Sequence, residues 1–185
     1  MKDVILMQQI HGNNVVMVGK KDIGTTIPNC DAMITSDPGV TLGVRVADCL
    51  PIFVVDEKGR GIGLIHAGWR GLENEIIVKT IQKMENQWKM ETGKLKIIIG
   101  PHICPEHYEV KEDVASKFSS YVKGVTLNSG RTFLDLSEVA RQQLVSLGVK
   151  NEDITIDSKC TFDDPILPSF RRDKTTQRNL ITLSI

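Results

Sequence analysis

Residues 47–51 read Ala-Asp-Cys-Leu-Pro, and residues 64–71 read Leu-Ile-His-Ala-Gly-Trp-Arg-Gly. They place Cys49 at the end of one apolar run and His66 at the end of the next, with a glycine-rich turn directly after the histidine. Chemically active residues at strand ends, followed by a turn that opens a helix, often build the site of an α/β protein. Either residue alone could be an inert core residue. The two together predict a functional site.

Two apolar runs beside this site predict a pair of strands. Residues 52–55 and 62–66 flank the polar segment 56–61, whose composition is typical of a hairpin turn. We therefore expect the two runs to be antiparallel neighbours. Their pairing would bring the chain before the first run close to the end of the second, so that Cys49 and His66 can meet.

The composition is that of an ordinary globular protein. The 185 residues include 41% hydrophobic and 25% charged residues, and 23 basic residues balance 23 acidic ones. This balance argues against recruitment of nucleic acid or of an acidic membrane. Residues 1–7 lack a signal-peptide cleavage site, and no apolar run has the length of a membrane span, so we expect a cytoplasmic protein. We expect all four cysteines to be reduced: Cys30, Cys49, Cys104 and Cys160.

Short apolar runs at the start of the chain predict strands. Residues 4–7 and 15–18 flank a Gly-Asn-Asn turn and read as two strands joined by that turn. His11 would then lie at a strand end, where spacing alone is typical of a surface histidine. Further on, residues 95–99 read as a buried strand that leads into a two-proline loop.

Residues 73–88 have apolar side chains at three- and four-residue steps, which predicts an amphipathic helix. The helix would follow the Gly-Trp-Arg-Gly turn, so its free backbone N–H groups would lie next to His66 and Arg70. Such a helix start is a natural pocket for an anion. The glycines could equally serve only to make a tight turn.

Two further helices complete the pattern. Residues 112–122 read as one of them, and Asp135 with Glu138 resembles a capping box at the start of the other. Strands and helices in this mixed order predict a mixed α/β, or α+β, fold. We expect residues 1–185 to form a single domain, because no linker, repeat or low-complexity segment interrupts them.

Two imidazoles and one thiolate could hold a transition metal. His11, Cys49 and His66 would leave a fourth coordination position open, which is the arrangement of catalytic rather than structural zinc. Copper is a chemically plausible second occupant, but we expect zinc. Because the three residues are far apart in the chain, their spacing alone has low specificity.

Two other arrangements of the same residue types stay open. His102, Cys104 and His107 form a local set along the two-proline loop, but structural zinc usually takes four ligands. Alternatively, Cys49 and His66 could work without metal, with the imidazole activating the thiolate for acyl or amide chemistry.

Several short motifs follow one another in a fixed order: QIHG at 9–12, DAMIT at 31–35, ADCLPI at 47–52, HAGWRG at 66–71, GP at 100–101, YEV at 108–110, CT at 160–161 and FRRD at 170–173. This order resembles the bacterial YfiH family, which is related to the human laccase-domain protein. Its members are called polyphenol oxidase, peptidoglycan editing factor or purine nucleoside phosphorylase. The resemblance runs from about residue 8 to the C-terminus, and the ADCLP and HAGWRG motifs are highly specific.

The resemblance implies a fold and a set of site residues. The fold would be a layered α/β domain shared with a toxin-type cysteine hydrolase, which also places Cys49 and His66 together. The implied zinc ligands are His11, Cys49 and His66. The implied catalytic residues are Cys49, His66 and Asp48, of which Asp48 would orient a ligand or accept a proton. The implied residues for phosphate and substrate are Arg70, Arg171, Arg172, Trp69 and Tyr108.

The resemblance also implies an activity. We expect a zinc-dependent purine nucleoside phosphorylase that converts adenosine, inosine, guanosine or methylthioadenosine and phosphate into free base and ribose 1-phosphate, with adenosine deaminase as a second activity. One alternative is a Cys–His amide hydrolase that edits peptidoglycan precursors, and another is a non-catalytic metal-binding domain. We expect a small-molecule substrate and neither a nucleic-acid nor a membrane partner; a homodimer is left open.

The sequence departs from the family pattern at three places. Family members usually carry a longer segment before the QIHG motif, so contacts from that segment would be absent or supplied by a partner chain. Arg45 stands where the family more often has a neutral residue, and it is either a solvent-facing strand residue or an extra anion contact. The loop with His102, Cys104 and His107 differs from the small residues and cysteine that are usual there, which leaves its role open.

One of the family's names can be tested from the residues alone. A multicopper oxidase needs a mononuclear blue site and a trinuclear cluster, and both take histidine ligands. The four histidines of this chain are too few for that arrangement. A laccase activity is therefore a poor prediction for this sequence.

Overall fold

The computed structural model describes residues 3–185, which form three sheets and several helices. The strands follow in this order: β1 (Val4–Met7), β2 (Val15–Met17), β3 (Thr26–Ile27), β4 (Ala32–Thr35), β5 (Thr41–Val46), β6 (Leu50–Asp56), β7 (Ile62–Ala67), β8 (Leu95–Ile99), β9 (Glu109–Val110), β10 (Val125–Asn128), β11 (Arg131–Leu134), β12 (Ile154–Ile156) and β13 (Asn179–Ser184). The helices are α1 (Trp69–Glu73), α2 (Ile76–Trp88), α3 (Glu112–Ala115), α4 (Leu136–Ser146) and α5 (Phe170–Asp173). Within residues 3–185, no helix combines the length and apolar composition that crossing a bilayer requires.

A six-stranded sheet in the order β12-β8-β6-β7-β4-β2 is the centre of the fold. Its middle pair, β6 and β7, is antiparallel, with Pro51 opposite His66 and Ile52 opposite Ile65. The predicted strand pair is therefore confirmed. Cys49 directly precedes β6, so the register brings it to the end of the strand pair at which His66 lies.

Hydrophobic cores lie on both faces of this sheet. One face packs against α1, α2 and α4, where Ile65 and Ile77 are fully buried. The other face packs against the sheet β13-β5-β1-β3, where Leu64 and Val44 are fully buried. Successive residues of a strand point to opposite faces, so β7 contributes side chains to both cores and is apolar almost throughout. The predicted layered, mixed α/β fold is confirmed.

The two strands predicted at the start of the chain are present as β1 and β2, but they enter different sheets instead of pairing with each other. β1 pairs in parallel with β3 and β5, whereas β2 pairs in parallel with β4 in the six-stranded sheet. The turn between them contains His11, at φ 60, and its backbone N–H groups donate to the side chain of Asp31. Because a carboxylate satisfies these donors instead of a neighbouring strand, the chain can cross from one sheet to the other at this turn.

The helix predicted at residues 73–88 is divided in the structure. α1 begins directly after Gly68, and α2 begins after Glu75, whose φ of 62 lies in the left-handed region and interrupts the helical hydrogen bonds. The helix start beside His66 therefore belongs to the five-residue α1, and the long helix starts further along the chain.

The other two predicted helices have different outcomes. The one predicted at residues 112–122 is only α3, continued by a 3-10 turn at Ser116–Phe118. Only half of the capping box predicted for α4 is present. The Asp135 side chain accepts a hydrogen bond of 2.9 Å from the backbone N–H of Glu138, whereas the Glu138 carboxylate bonds Arg141 and Gln142 instead of the Asp135 backbone. This cap anchors the helix that covers one core.

Two neighbouring isoleucines of β8 provide a matched test of the layered core. Ile99 is fully buried, whereas Ile98 is 47% exposed on the opposite face of the strand. We expect Ile99→Ala to lower the free energy of unfolding by about 2–5 kcal/mol, because it leaves a cavity in the core. Ile98→Ala should cost about 1 kcal/mol or less. Urea unfolding of both variants checks this, and equal losses would contradict the layer assignment.

Candidate functional site

His11, Cys49 and His66 meet at one end of the central strand pair. One ligand atom from each residue lies within 4.8 Å of the other two. The rings of His11 and His66 have centroids 4.8 Å apart and are nearly perpendicular, at 83°. His66 is buried, Cys49 is half-buried and His11 is exposed, so the cluster is open to solvent on the side of His11. The structure thus brings together the three residues predicted as metal ligands.

The Asp31 carboxylate joins two parts of this cluster. One of its oxygens accepts hydrogen bonds from the Nδ1 atom of His66, at 2.8 Å, and from the backbone N–H of His11, at 2.9 Å. The other accepts from the backbone N–H groups of Gly12 and Ile10, at 2.8 and 3.2 Å. Since Nδ1 of His66 is occupied in this way, its Nε2 is the nitrogen left for a metal or for Cys49.

Sequence reasoning missed the role of Asp31. In the sequence it stands out only as the first letter of the DAMIT motif. Its position could have been inferred from strand pairing, because Ala32 lies opposite Ile65 in the β4–β7 ladder and the preceding residue then adjoins His66. The backbone contact confirms this neighbourhood, since the N–H of His66 donates to the carbonyl oxygen of Asp31 at 2.7 Å.

The titration behaviour of the cluster is that of an ion pair. Burial opposes ionisation of the Cys49 thiol, but interactions with the His11 and His66 rings outweigh burial and lower its pKa to about 6. Burial likewise opposes protonation of His66, but Asp31 and Cys49 outweigh it and raise the pKa of His66 to about 9. Burial also opposes ionisation of Asp31, yet His66 and the backbone N–H donors lower the pKa of this carboxyl. Without metal, the pair at neutral pH is therefore thiolate and imidazolium.

Gly68 leaves the room that Cys49 needs. A Cβ atom at this position would lie 2.9 Å from the sulfur of Cys49 and 3.4 Å from Cδ2 of His11. The first distance is too short for a real contact, so the sulfur would have to move, whereas the second is a close van der Waals contact. A side chain at position 68 would therefore displace the sulfur of Cys49, which explains the first glycine of the HAGWRG motif. The same residue also precedes the start of α1.

A cavity of about 640 Å³ opens onto the cluster. That volume is typical of a site for a small molecule. The side chains that line it include five cations: Arg45, Arg70, Arg171, Lys174 and Arg178. Three aromatic side chains also line it: Trp69, Tyr108 and Phe170. A cation lies over each of these rings: Arg70 is 4.3 Å from the centre of Trp69 and Arg171 4.9 Å from that of Tyr108, and both Lys174 and Arg178 lie over Phe170.

Asp48 is buried at the wall of the cavity, and both of its carboxylate oxygens are bonded to protein groups. One accepts from the hydroxyl of Thr161 at 2.7 Å, and the other from the backbone N–H of Arg171 at 2.6 Å. The residue has a φ of 91, a strained conformation for a residue with a side chain. These contacts fit a residue that positions the segment of Arg171; the predicted roles of Asp48, to orient a ligand or to accept a proton, stay predictions.

Arg171 and Arg172 differ in where their guanidinium groups lie. Arg171 lines the cavity, and its role as a phosphate ligand stays a prediction. Arg172 is a correction to the prediction, since it is not part of the cavity lining. Its N–H groups donate to Asp173 and to four backbone carbonyl groups, those of Thr161, Phe162, Asp164 and Leu167. Because these donors are already used, we leave Arg172 out of the proposed phosphate site.

Several cavity residues were not predicted from the sequence. Arg45, left open between a solvent-facing residue and an anion contact, lines the cavity beside Gln9, whose amide bonds the Arg45 backbone. Phe170, Lys174 and Arg178 were missed. Phe170 opens the FRRD motif, which was the only signal available, and the two cations lie in a polar stretch without any pattern.

The second predicted set of metal ligands is rearranged. His102 is buried, and its Nδ1 bonds the carbonyl oxygen of Gly100. It does not belong to the group that Cys104 and His107 form. Cys104 and His107 instead lie close to Asp163. The expectation that all cysteines are reduced is also wrong, because Cys104 forms a disulfide with Cys160. Residues 104 and 160 are 56 positions apart, so sequence spacing could not reveal the pair.

Comparison with known sequences identifies the family. The family model described as multi-copper polyphenol oxidoreductase laccase matches residues 1–184. A Corynebacterium glutamicum protein named purine nucleoside phosphorylase is 34% identical over 178 residues, which cover 95% of this chain and 71% of that protein. A protein of the same name from Aquifex aeolicus is 34% identical over 182 residues, which cover 98% of this chain and 82% of that one. The chain belongs to this laccase-like YfiH family, as the motifs predicted.

Solved structures agree with the assignment. YlmD from Geobacillus stearothermophilus has a TM-score of 0.93 and 29% sequence identity, covering 99% of this chain and 73% of its own. The hypothetical protein YfiH from Bacillus licheniformis has a TM-score of 0.90 and 26% identity, covering 98% and 73%. The fold is therefore the YfiH fold.

The donor atoms of the cluster fit a metal ion. Two imidazoles and a thiol with a lowered pKa form a three-ligand set. The Asp31 carboxylate bonds Nδ1 of His66, and metal-bound histidines commonly have such a partner on the nitrogen that does not bind the metal. The cavity adjoins this set, so a further coordination position would face the substrate space.

The lowered pKa of Cys49 leads to a prediction for the metal-free protein. We expect the rate of alkylation by iodoacetamide to rise with pH through a midpoint near 6, because the thiolate is the reactive form. Cys30 should stay unreactive, since burial raises its pKa to about 12. Mass spectrometry of chelator-treated protein follows the labelling, with Cys49→Ser as the control. A midpoint near the ordinary value of about 8.5 would contradict the ion pair.

A second prediction concerns Asp31. Asp31→Asn removes the negative charge that holds His66, so we expect affinity for zinc to fall on the order of 10–100-fold. Asp37→Asn, beyond the opposite end of β4, is the matched control and should leave the affinity unchanged. Competition with a chromogenic zinc chelator measures both variants. Equal affinity of Asp31→Asn and the unchanged protein would exclude this role.

Proposed function

We propose that this protein is a zinc-dependent purine nucleoside phosphorylase, with His11, Cys49 and His66 holding the ion. The observation that carries the proposal is the juxtaposition of this three-donor cluster with a cavity lined by five cations and three aromatic rings. The names of the relatives at 34% identity support it. We also propose that residues 1–185 act as one domain.

In phosphorolysis, an oxygen of inorganic phosphate bonds to C1′ of the ribose while the bond from C1′ to the purine nitrogen breaks. The base leaves with the proton that the phosphate gives up. Arg70 and Arg171 line the cavity and would hold the phosphate anion, with Arg45 as an additional contact. Lys174 and Arg178 add positive charge at the same cavity. These cations would both bind phosphate and orient it for attack.

The aromatic residues would hold the nucleoside. Trp69, Tyr108 and Phe170 offer flat apolar surfaces of the kind that stack on a purine. Burial is the main cause that raises the pKa of Tyr108, so its hydroxyl stays protonated at neutral pH. A protonated hydroxyl can donate a hydrogen bond to a purine nitrogen as negative charge develops on the leaving base.

The metal would supply Lewis acidity next to these groups, by polarising an oxygen of phosphate, water or substrate when it is bound. Zinc is the proposed ion because catalytic zinc sites have three protein ligands, drawn from histidine, cysteine and carboxylate side chains, and leave a fourth position open. Copper is a weaker candidate for the same donors. Asp31 holds the His66 ring in the orientation that leaves Nε2 available, and Gly68 makes room for the sulfur of Cys49.

The proposed substrates are adenosine, inosine, guanosine and methylthioadenosine. We also propose adenosine deaminase as a second activity of this site, in which water replaces the 6-amino group and ammonia leaves. Both reactions need a purine nucleoside beside the cluster, so the same aromatic residues would serve them. Two readouts separate them, because phosphorolysis needs phosphate and deamination needs only water.

A second candidate function rests on one specific observation. Cys49, His66 and Asp31 form a connected Cys–His–carboxylate arrangement, as in cysteine hydrolases. The thiolate could attack an amide, and the imidazolium could protonate the leaving nitrogen. An amide bond in a peptidoglycan precursor would be such a substrate. A non-catalytic metal-binding domain is the remaining alternative, and it would contain metal without turning over any nucleoside.

Turnover of adenosine tests the proposal directly. We expect adenosine and phosphate to yield adenine and ribose 1-phosphate, and Cys49→Ala to lower the rate by about 100-fold or more because it removes a metal ligand. Cys30→Ala, which removes a buried thiol that packs in the core between the two sheets and is not part of the cluster, should keep the rate. Chelation should abolish turnover and added zinc should restore it; chromatography of the products measures each case.

The same experiment distinguishes the alternatives. Full turnover in Cys49→Ala would contradict the phosphorylase assignment. Amide cleavage that survives chelation, with a covalent adduct on Cys49, would establish the hydrolase. Bound zinc without conversion of any nucleoside would support the non-catalytic metal-binding domain.

A further inference from the structure

Four side chains with metal-binding atoms lie together outside the cavity. The loop that follows β8 carries Cys104 and His107, and the segment after β12 carries Cys160 and Asp163. The two cysteines have Cα atoms 5.2 Å apart and form the disulfide described above. The backbone N–H of Cys104 also donates to the sulfur of Cys160 at 3.1 Å, a contact that stabilises negative charge on sulfur.

His107 and Asp163 complete the group around the two sulfurs. The Nε2 atom of His107 lies 2.7 Å from one carboxylate oxygen of Asp163, and the sulfur of Cys104 lies 3.7 Å from the other. The His107 ring stacks on Phe162, with centroids 4.1 Å apart, which fixes its orientation. The side chains of His107 and Asp163 are 33% and 62% exposed, so the group is open to ions from solvent.

We propose that Cys104, Cys160, His107 and Asp163 form a second metal site, which holds one zinc-type divalent ion when the disulfide is reduced. Two sulfurs, one imidazole nitrogen and one carboxylate oxygen give the four ligands of a closed, structural site. Ligand atoms around such an ion, at about 2.0–2.3 Å from it, are about 3.3–3.8 Å apart at tetrahedral angles. The Cys104 sulfur already lies at such a distance from one oxygen of Asp163, whereas the His107 nitrogen bonds the other oxygen. The exposed carboxylate would therefore turn so that a single oxygen binds the ion.

Conversion of the disulfide form into the metal-bound form needs a reductant, for which we name a dithiol. The dithiol gives two electrons and two protons to the S–S bond between Cys104 and Cys160, and becomes a disulfide itself. The two thiols formed then lose one proton each as their sulfurs bind the ion. Uptake of one ion by the reduced protein should therefore release two protons, apart from any that His107 loses.

Either form of this cluster would join the same two segments. The loop of Cys104 carries Tyr108, and the segment of Cys160 carries Thr161, whose hydroxyl bonds Asp48 at the cavity wall. A disulfide keeps these segments together under oxidising conditions. The ion would do so in a reducing compartment, in addition to the backbone hydrogen bond of 2.9 Å from the N–H of Thr161 to the carbonyl oxygen of His102. The second site thus gives a role to the histidine and aspartate that lie beside this disulfide.

Cobalt(II) binding to the full-length Cys49→Ser variant tests this proposal without a thiolate from the first cluster. After treatment with a dithiol and removal of the reductant, we expect one cobalt ion per chain to produce thiolate-to-metal charge-transfer absorption. The oxidised protein, with its disulfide closed, should show none. His107→Ala should weaken cobalt binding by the reduced protein on the order of 10–100-fold. The exposed neighbour Glu106, changed to Gln, is the matched control and should not alter it.

The outcomes are distinct from those of the nucleoside assay. Equal cobalt spectra of the reduced and oxidised proteins, or a reduced spectrum that persists in Cys49→Ser/Cys104→Ser, would overturn the second site. A reduced protein whose circular dichroism is unchanged and which binds no cobalt would also overturn it. Cobalt absorption that depends on reduction, Cys104 and His107 supports the proposal whether or not the protein turns over adenosine.

Discussion

The buried carboxylate of Asp31 is the group on which the arrangement of the first cluster depends. It is fully buried, and transfer of an unpaired carboxylate from water to such a place costs several kcal/mol. Here its oxygens accept one hydrogen bond from a histidine ring and three from backbone N–H groups, and these contacts offset that cost. Because the donors come from the turn of His11 and from β7, one carboxylate orients the His66 ring and holds the backbone that carries His11. The sulfur of Cys49 then completes the group from the neighbouring strand end.

The second constraint is electrostatic. The cavity has five cationic side chains and one acidic one, Asp48, whose oxygens are bonded to protein groups. An anion in this cavity therefore meets positive charge on several sides, while the thiolate of Cys49 suits a cation. A site that favours both a metal ion and an anionic reactant fits the phosphorolysis proposed above. Asp48 contributes indirectly, since it holds the backbone of Arg171 beside the cavity.

The sequence predicts local features and misses interactions between distant segments, for physical reasons. Periodicity and turn chemistry identify the β6–β7 pair, whose register brings Cys49 and His66 together. No local pattern shows that β1 and β2 enter different sheets, because the cause is the side chain of Asp31 at a remote position. The use of Arg172 by backbone carbonyls and the pairing of Cys104 with Cys160 likewise depend on how the segment after β12 folds back. His11 is far from Cys49 and His66 in the chain, so spacing could not identify it as a ligand. The family motifs predicted it instead.

X-ray absorption spectroscopy of the zinc-loaded protein, kept oxidised so that Cys104 and Cys160 stay paired, tests the central proposal most directly. Ligation by His11, Cys49 and His66 requires one sulfur at about 2.3 Å and two imidazole nitrogens at about 2.0–2.1 Å in the first shell. A first shell without sulfur, or with two sulfurs, would contradict it.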